Sequence, residues 1–206
     1  MTTHTLNTTP QFKHLNAARY KKLYSDIFKF RTLFGLPIQE SNLSHEDQRL
    51  HMALFCEEQS ELATATDRAD HIDAIVDSVY VYMGLLVHIG VEWEQIEGNM
   101  LMKVFPLEAM LACADEMSFD FTRAWDIVHS SNISKLCNLD NVLETLTYYK
   151  EMGVPAFSEE VFGADLPEPK FRVKVKKHCK DWYGKFYPEG KVLKSVGYEP
   201  ADLTSL

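Results

Sequence analysis

Two short runs hold the residues most able to do chemistry: Glu57-Glu58-Gln59-Ser60-Glu61 and Asp70-His71-Ile72-Asp73-Ala74-Ile75-Val76-Asp77. At 100° per residue, Glu57, Glu61 and Glu58 fall at about 0°, 40° and 100° on one side of a helix. Asp70, Asp73 and Asp77 fall within about 60° of each other on the next helix by the same periodicity. A solvated acidic face is the alternative, since most charge runs are solvated. Such a face usually carries Lys or Arg three or four residues away to relieve repulsion. None of these six acids has one, and their neighbours include Leu54, Phe55, Leu62, Val76 and Val81. Like charges bordering apolar surface need a cation between them. All-oxygen donors select a hard cation, Mg²⁺ or Mn²⁺. A di-iron bundle would use Glu-x-x-His pairs, and no Glu of this chain has a His three residues later.

The elements that must carry these acids are helices. Tyr20, Leu23, Tyr24, Ile27, Phe30 and Phe34 repeat at helical spacing over 16–34, and Gly35-Leu36-Pro37 stops them. Ser44, followed by Glu46 and Asp47, reads as an N-cap with acids in the first turn. A helix is expected from there to about residue 65, with Leu50, Leu54, Phe55 and Leu62 facing inward. After a short break at 66–69, a second helix over 70–89 should bury Ile72, Ile75, Val76, Val79, Met83 and Leu86 and end at Gly90. Two helices joined by so short a break lie antiparallel, so their acidic faces can converge. Further helical patterns cover 92–103, 106–117, 119–132 and 141–152. Near Gly153 the texture changes to proline and glycine, and residues 171–175 alternate as a strand does. The expected fold is all-α: an antiparallel helical bundle with a carboxylate metal site, plus a small C-terminal β-containing extension. Residues 1–15 read as a flexible N-terminus, 16–152 as the helical domain and 153–206 as a basic extension completing the site.

Composition narrows the function classes. Of 206 residues, 46% are hydrophobic, and 21 basic against 30 acidic residues give a net charge of −9. A chain this apolar can build a core. One this acidic lacks the basic footprint of a duplex-DNA binder, so no stable nucleic-acid complex is expected. The apolar stretch 79–91 is too short to span a bilayer and contains His88. The first ten residues have no basic-then-apolar pattern. Cys56, Cys113, Cys137 and Cys179 show no metal or redox spacing. A cytoplasmic protein with free thiols and no membrane contact is the expectation. Charge also divides along the chain, since 57–126 is strongly acidic and 170–194 strongly basic. That division suits a ligand bringing both metal ions and phosphates.

The E-E-x-x-E run and the spaced acids after it are joined by three later segments. They are Val128-His129-Ser130-Ser131-Asn132-Ile133-Ser134-Lys135-Leu136, the stretch 185–194 (KFYPEGKVLK) and Gly197-Tyr198-Glu199-Pro200-Ala201-Asp202-Leu203. In this order they resemble the phage and bacterial branch of the MazG-like all-α nucleoside triphosphate pyrophosphohydrolases over roughly 20–100 and 125–203. That superfamily includes the dimeric dUTPases and the phosphoribosyl-ATP pyrophosphohydrolases. Its commoner motif ends E-x-x-D, whereas Ala74 stands three before Asp77, and Asp73, four before, is the substitute on the same face.

The resemblance implies Mg²⁺-dependent hydrolysis of a nucleoside triphosphate, foremost a deoxyribonucleoside triphosphate, between its α and β phosphates, with Mn²⁺ a substitute ion. It implies Glu58, Glu61, Asp73 and Asp77 as metal ligands with Asp70 an addition, Glu57 as general base or ligand, and Glu61 as essential to turnover. Asn132 and Lys135 would contact sugar, base or phosphate, and Lys191 and Lys194 would fold over the triphosphate on a loop. The plain alternatives for those four are surface polar residues and a solvated basic tail. Tyr80, Tyr82 and Trp93 read as core before base-stacking residues. The resemblance also implies a homo-dimer or homo-tetramer. Two other functions compete: action on another diphosphate-linked nucleotide such as phosphoribosyl-ATP, and a non-catalytic helical module that binds nucleotides or a partner.

Overall fold

A computed structural model describes residues 12–40, 42–96, 100–162 and 168–206. It is mostly helical, with a small β extension toward the C-terminus. Contacts divide the described chain into two units, one of residues 12–28, 38–124 and Leu206, the other of 29–37 and 125–205.

In the first unit, α1 (Ala17–Leu33, whose last turn belongs to the second unit) buries Tyr20, Leu23 and Ile27. Helix α2 (His45–Thr64) starts at Ser44, whose side chain accepts from the Asp47 backbone N–H while Asp47 accepts from the Ser44 N–H. That reciprocal box satisfies amide groups that a helix start leaves without partners. Helix α3 (Arg68–His88) starts earlier than 70 because Asp67 caps it, accepting from the Asp70 N–H. All six residues expected on its inner face are buried: Ile72, Ile75, Val76, Val79, Met83 and Leu86. Gly90, at φ +70°, takes the left-handed conformation after its end.

Helix α2 packs against α3 but buries only His51. The expectation of an inward Leu50 is corrected, since it is 52% exposed. The reason is angular. His51, Phe55, Glu58 and Leu62 lie within about 60° of each other and form the stripe facing α3. Leu50 falls about 100° away from His51 by the same periodicity.

A second correction concerns residues 92–117, expected as two helices parted near Pro106. A 3₁₀ turn, Trp93–Gln95, is followed by one helix, α4 (Met100–Glu116), with Pro106 inside it. Proline removes an amide donor and disturbs the carbonyls of the preceding turn. The carbonyl deprived of its helical donor is that of Met102, and the Tyr82 hydroxyl donates to the next one, that of Lys103, at 2.7 Å.

In the second unit, the rest of α5 (Phe121–Ile133) and α6 (Val142–Glu151) accompany two antiparallel pairs. Strand β1 (Ala156–Val161) pairs with β2 (Lys170–Val175), with Ala156 opposite Val175. Strand β3 (Cys179–Lys180) pairs with β4 (Phe186–Tyr187). Helix α6 packs on β1 and β2. Val173 and Val175 turn inward to a core with Cys137, Val142, Tyr149 and Leu193. All four cysteines are free thiols. Among the described residues no helix is long and apolar enough to cross a membrane.

Candidate active site

Three contacts fix how α2 and α3 face each other. The His51 and His88 rings share a hydrogen bond at 2.9 Å, Phe55 meets Tyr82 edge to face at 5.9 Å, and the Gln59 side-chain amide donates to Ser78 Oγ at 2.8 Å. Residue numbers rise along one helix as they fall along the other, so the pair is antiparallel. Ser78 in turn donates to the Ala74 carbonyl of its own helix. Gln59 and Ser78 therefore lock the two helices together next to Glu58 and Asp77. Sequence reasoning missed this lock, because neither residue carries a charge or a spacing that marks it.

The antiparallel pairing brings acids of both helices together around Glu58. Glu58 is half-buried on the contact stripe, and its Oε2 is buried without a hydrogen-bond partner. Loss of hydration, followed by the charges of Asp77, Glu61, Glu57 and Asp73 in that order, pushes its carboxyl from 4.5 up to about 8. Burial and like charge both disfavour the anion. Asp73 and Asp77 are half-buried on α3, while Glu57 and Glu61 are exposed on the flank of α2. Asp70 stands apart in role. It is exposed, and its Oδ2 accepts from the Thr66 amide and hydroxyl at 3.3 and 3.1 Å, closing the turn between the helices. Among the described residues, none of these acids belongs to a triad with ligand atoms mutually within 4.8 Å.

An orphaned carboxylate oxygen beside four further acids fits a divalent cation, which would supply the missing partner and screen the repulsion. Tyr80 is buried, and Trp93 packs on Tyr20 at 5.5 Å, as core residues do. Tyr82 instead borders a cavity of about 290 Å³ with Phe55, one helical turn from Glu58.

Residues 28–102, which contain α2, α3 and every acid just described, match the family model of phosphoribosyl-ATP pyrophosphohydrolase. Over that span the chain is similar to that family, which is a member of the MazG-like all-α nucleoside triphosphate pyrophosphohydrolase superfamily. No curated protein and no solved structure matches the chain. The MazG-like match supports pyrophosphohydrolase activity on a nucleotide.

The remaining candidate residues lie outside the MazG-like segment, in the second unit. Asn132, in the last turn of α5, accepts from Lys135 Nζ through Oδ1. Lys194 Nζ sits over the Tyr198 ring at 4.1 Å, and the Ser131 hydroxyl donates to the Tyr198 hydroxyl at 3.0 Å. The Glu199 amide donates to Ser134 Oγ at 2.9 Å. Two segments far apart in sequence, 128–136 and 194–199, are thus brought together. Lys191 is exposed, and its backbone carbonyl accepts from the Val175 amide.

Proposed function

We propose that this protein hydrolyses a nucleoside triphosphate, most readily a deoxyribonucleoside triphosphate, between its α and β phosphates, releasing monophosphate and pyrophosphate with Mg²⁺ as cofactor. The observation that carries the reading is the buried, unpartnered Oε2 of Glu58 among the acids of two antiparallel helices. It lies inside the segment that matches the pyrophosphohydrolase family. Glu58, Glu61, Asp73 and Asp77 hold the ion in this reading, and Asp70 braces the turn at the edge of the set. A divalent cation bound there would supply charge neutralisation for the phosphates and lower the pKa of a water poised near the α-phosphorus. Glu57, exposed beside Glu58, orients that water and takes its proton at a carboxylate oxygen. Gln59 and Ser78 hold the two helices in register so that the acids keep their positions. Asn132, Lys135, Lys191 and Lys194 bind substrate polar groups as donors.

The name of the matching family favours one second reading, in which the substrate is phosphoribosyl-ATP. Both reactions release pyrophosphate, so a product assay separates them by substrate. The full chain is incubated with each common ribo- and deoxyribonucleoside triphosphate and with phosphoribosyl-ATP, with and without Mg²⁺. Mg²⁺-dependent monophosphate with pyrophosphate from a nucleoside triphosphate is the expected result. Turnover of phosphoribosyl-ATP alone favours the second reading. Diphosphate with free phosphate overturns the mechanism, and no turnover of any substrate leaves a binding module.

A further inference from the structure

A second cluster of metal-binding side chains lies at the other end of the α2–α3 pair. One carboxylate oxygen of Glu40, one of Asp47 and one ring nitrogen of His88 lie within 4.8 Å of one another. Three separate segments converge to make this triad. The Glu40 amide donates to the His88 carbonyl at 2.7 Å, and the Gln39 amide donates to the Val87 carbonyl at 3.0 Å, which fastens residues 39–40 to the end of α3. Asp47 is fixed in the first turn of α2 by its exchange with Ser44. His88 is 1% exposed, and its Nδ1 is committed to His51 at 2.9 Å. That leaves Nε2 to face the carboxylates, 3.3 Å from Glu40 Oε2.

A hydrogen-bond relay is the simple alternative: His51 donates to His88, and His88 donates to Glu40. It accounts for the geometry poorly. A charge-assisted N–H···O bond is expected at about 2.7–2.9 Å, shorter than the 3.3 Å observed. Two donors bound at about 2.0–2.2 Å to one tetrahedral ion stand about 3.3–3.6 Å apart, which the 3.3 Å between His88 Nε2 and Glu40 Oε2 matches. The second nitrogen of a metal-ligating histidine is normally held by another side chain, as His51 holds Nδ1 here.

We infer that Glu40, Asp47 and His88 form a binding site for a divalent transition-metal ion, distinct from the Glu58 acids. One imidazole with two carboxylates selects a borderline ion such as Zn²⁺ or Co²⁺ over Mg²⁺. Seven residues separate His51 from Glu58, or about 10 Å along a helix. The ion clips residues 39–40, the start of α2 and the end of α3 together, and so fixes the register of the two helices that carry the other acids.

The test uses the full chain, stripped with a chelator and titrated with Co²⁺ in excess Mg²⁺. Visible Co²⁺ absorption and the Tm are both read. The expected result is one Mg²⁺-resistant Co²⁺ per chain, displaced by Zn²⁺, with a raised Tm. Binding should weaken at least about tenfold in Glu40→Gln, an exposed position whose replacement leaves the core intact, and in Asp47→Asn. His51→Gln should weaken it about 10- to 100-fold through the orientation of His88. Glu58→Gln should leave the Co²⁺ signal unchanged, which separates this site from the proposed catalytic one. No Mg²⁺-resistant Co²⁺ signal, a signal unaltered in Glu40→Gln, or one lost in Glu58→Gln would overturn the inference and leave the relay.

Discussion

At the scale of single residues, Glu58 concentrates the conflict that the acids create. Its carboxyl, raised from 4.5 to about 8, keeps its proton in the folded chain over a range where the unfolded chain has lost it. The folded state then binds more protons, so stability falls with rising pH. In metal-free protein, this contribution is fully present below pH 4.5 and is lost as pH rises to about 8. Urea unfolding across that window should show the decline, and Glu58→Gln should flatten it. Mg²⁺ should also flatten it, because a bound cation stabilises the ionised form. A decline of equal slope in Glu58→Gln would assign the pH dependence to other groups. Glu61 is exposed, so its removal should spare the fold. Glu61→Gln is expected to lower pyrophosphate release by roughly 100-fold or more, of the size lost with a catalytic carboxylate, at unchanged Tm. Full activity at saturating Mg²⁺ would remove Glu61 from the site.

At the scale of elements, the placement of the acids depends on where α3 begins and how α2 lies on it. Asp67 caps α3 with a side-chain bond to the Asp70 amide at 2.9 Å, while Asp70 reaches back to Thr66. Losing an aspartate cap costs about 1 kcal/mol. Asp67→Ala should therefore lower the urea midpoint by an amount corresponding to about 1 kcal/mol. A neutral result would mean that packing of the buried α3 face alone sets the start of the helix. The Gln59–Ser78 lock belongs to this scale too. Ser78→Ala removes the partner of the Gln59 amide beside Glu58. We expect loss of turnover to exceed loss of stability, measured as kcat against Tm, because the contact sets register more than it sets burial.

At the scale of the whole molecule, α2 stands out as a 20-residue helix that buries one residue, His51. Its Leu50 and Met52 are 52% and 64% exposed, and Met102 and Phe105 of α4 are exposed as well. Large apolar side chains left in solvent are the places where an association surface can form. A second copy of this chain is the expected occupant, in keeping with the dimers and tetramers that the MazG-like resemblance implies. Sedimentation should give a mass at least double the 23.7 kDa of one chain. The double variant Leu50→Asp, Met52→Asp should shift the protein toward monomer. A monomeric parent protein at micromolar concentration would assign this surface to another role.

The sequence by itself determined the helices, the inner face of α3 and the convergence of two acidic runs on neighbouring helices. Each follows from local physics: periodicity, end-capping chemistry and a connection too short to allow anything but an antiparallel return. It also misplaced Leu50 and divided α4 at Pro106. Leu50 depended on a neighbour, namely the single stripe that α3 covers, while α4 carries Pro106 within one continuous helix. Only the tertiary structure singled out Glu58 as the half-buried member of the acids, since Glu57, Glu58 and Glu61 are the same residue type within one helical turn. Only it brought Glu40, Asp47 and His88 together, because no period or motif links a loop, a helix start and a helix end. Burial and proximity belong to facing surfaces, and one helix carries no record of the stripe that its partner will cover.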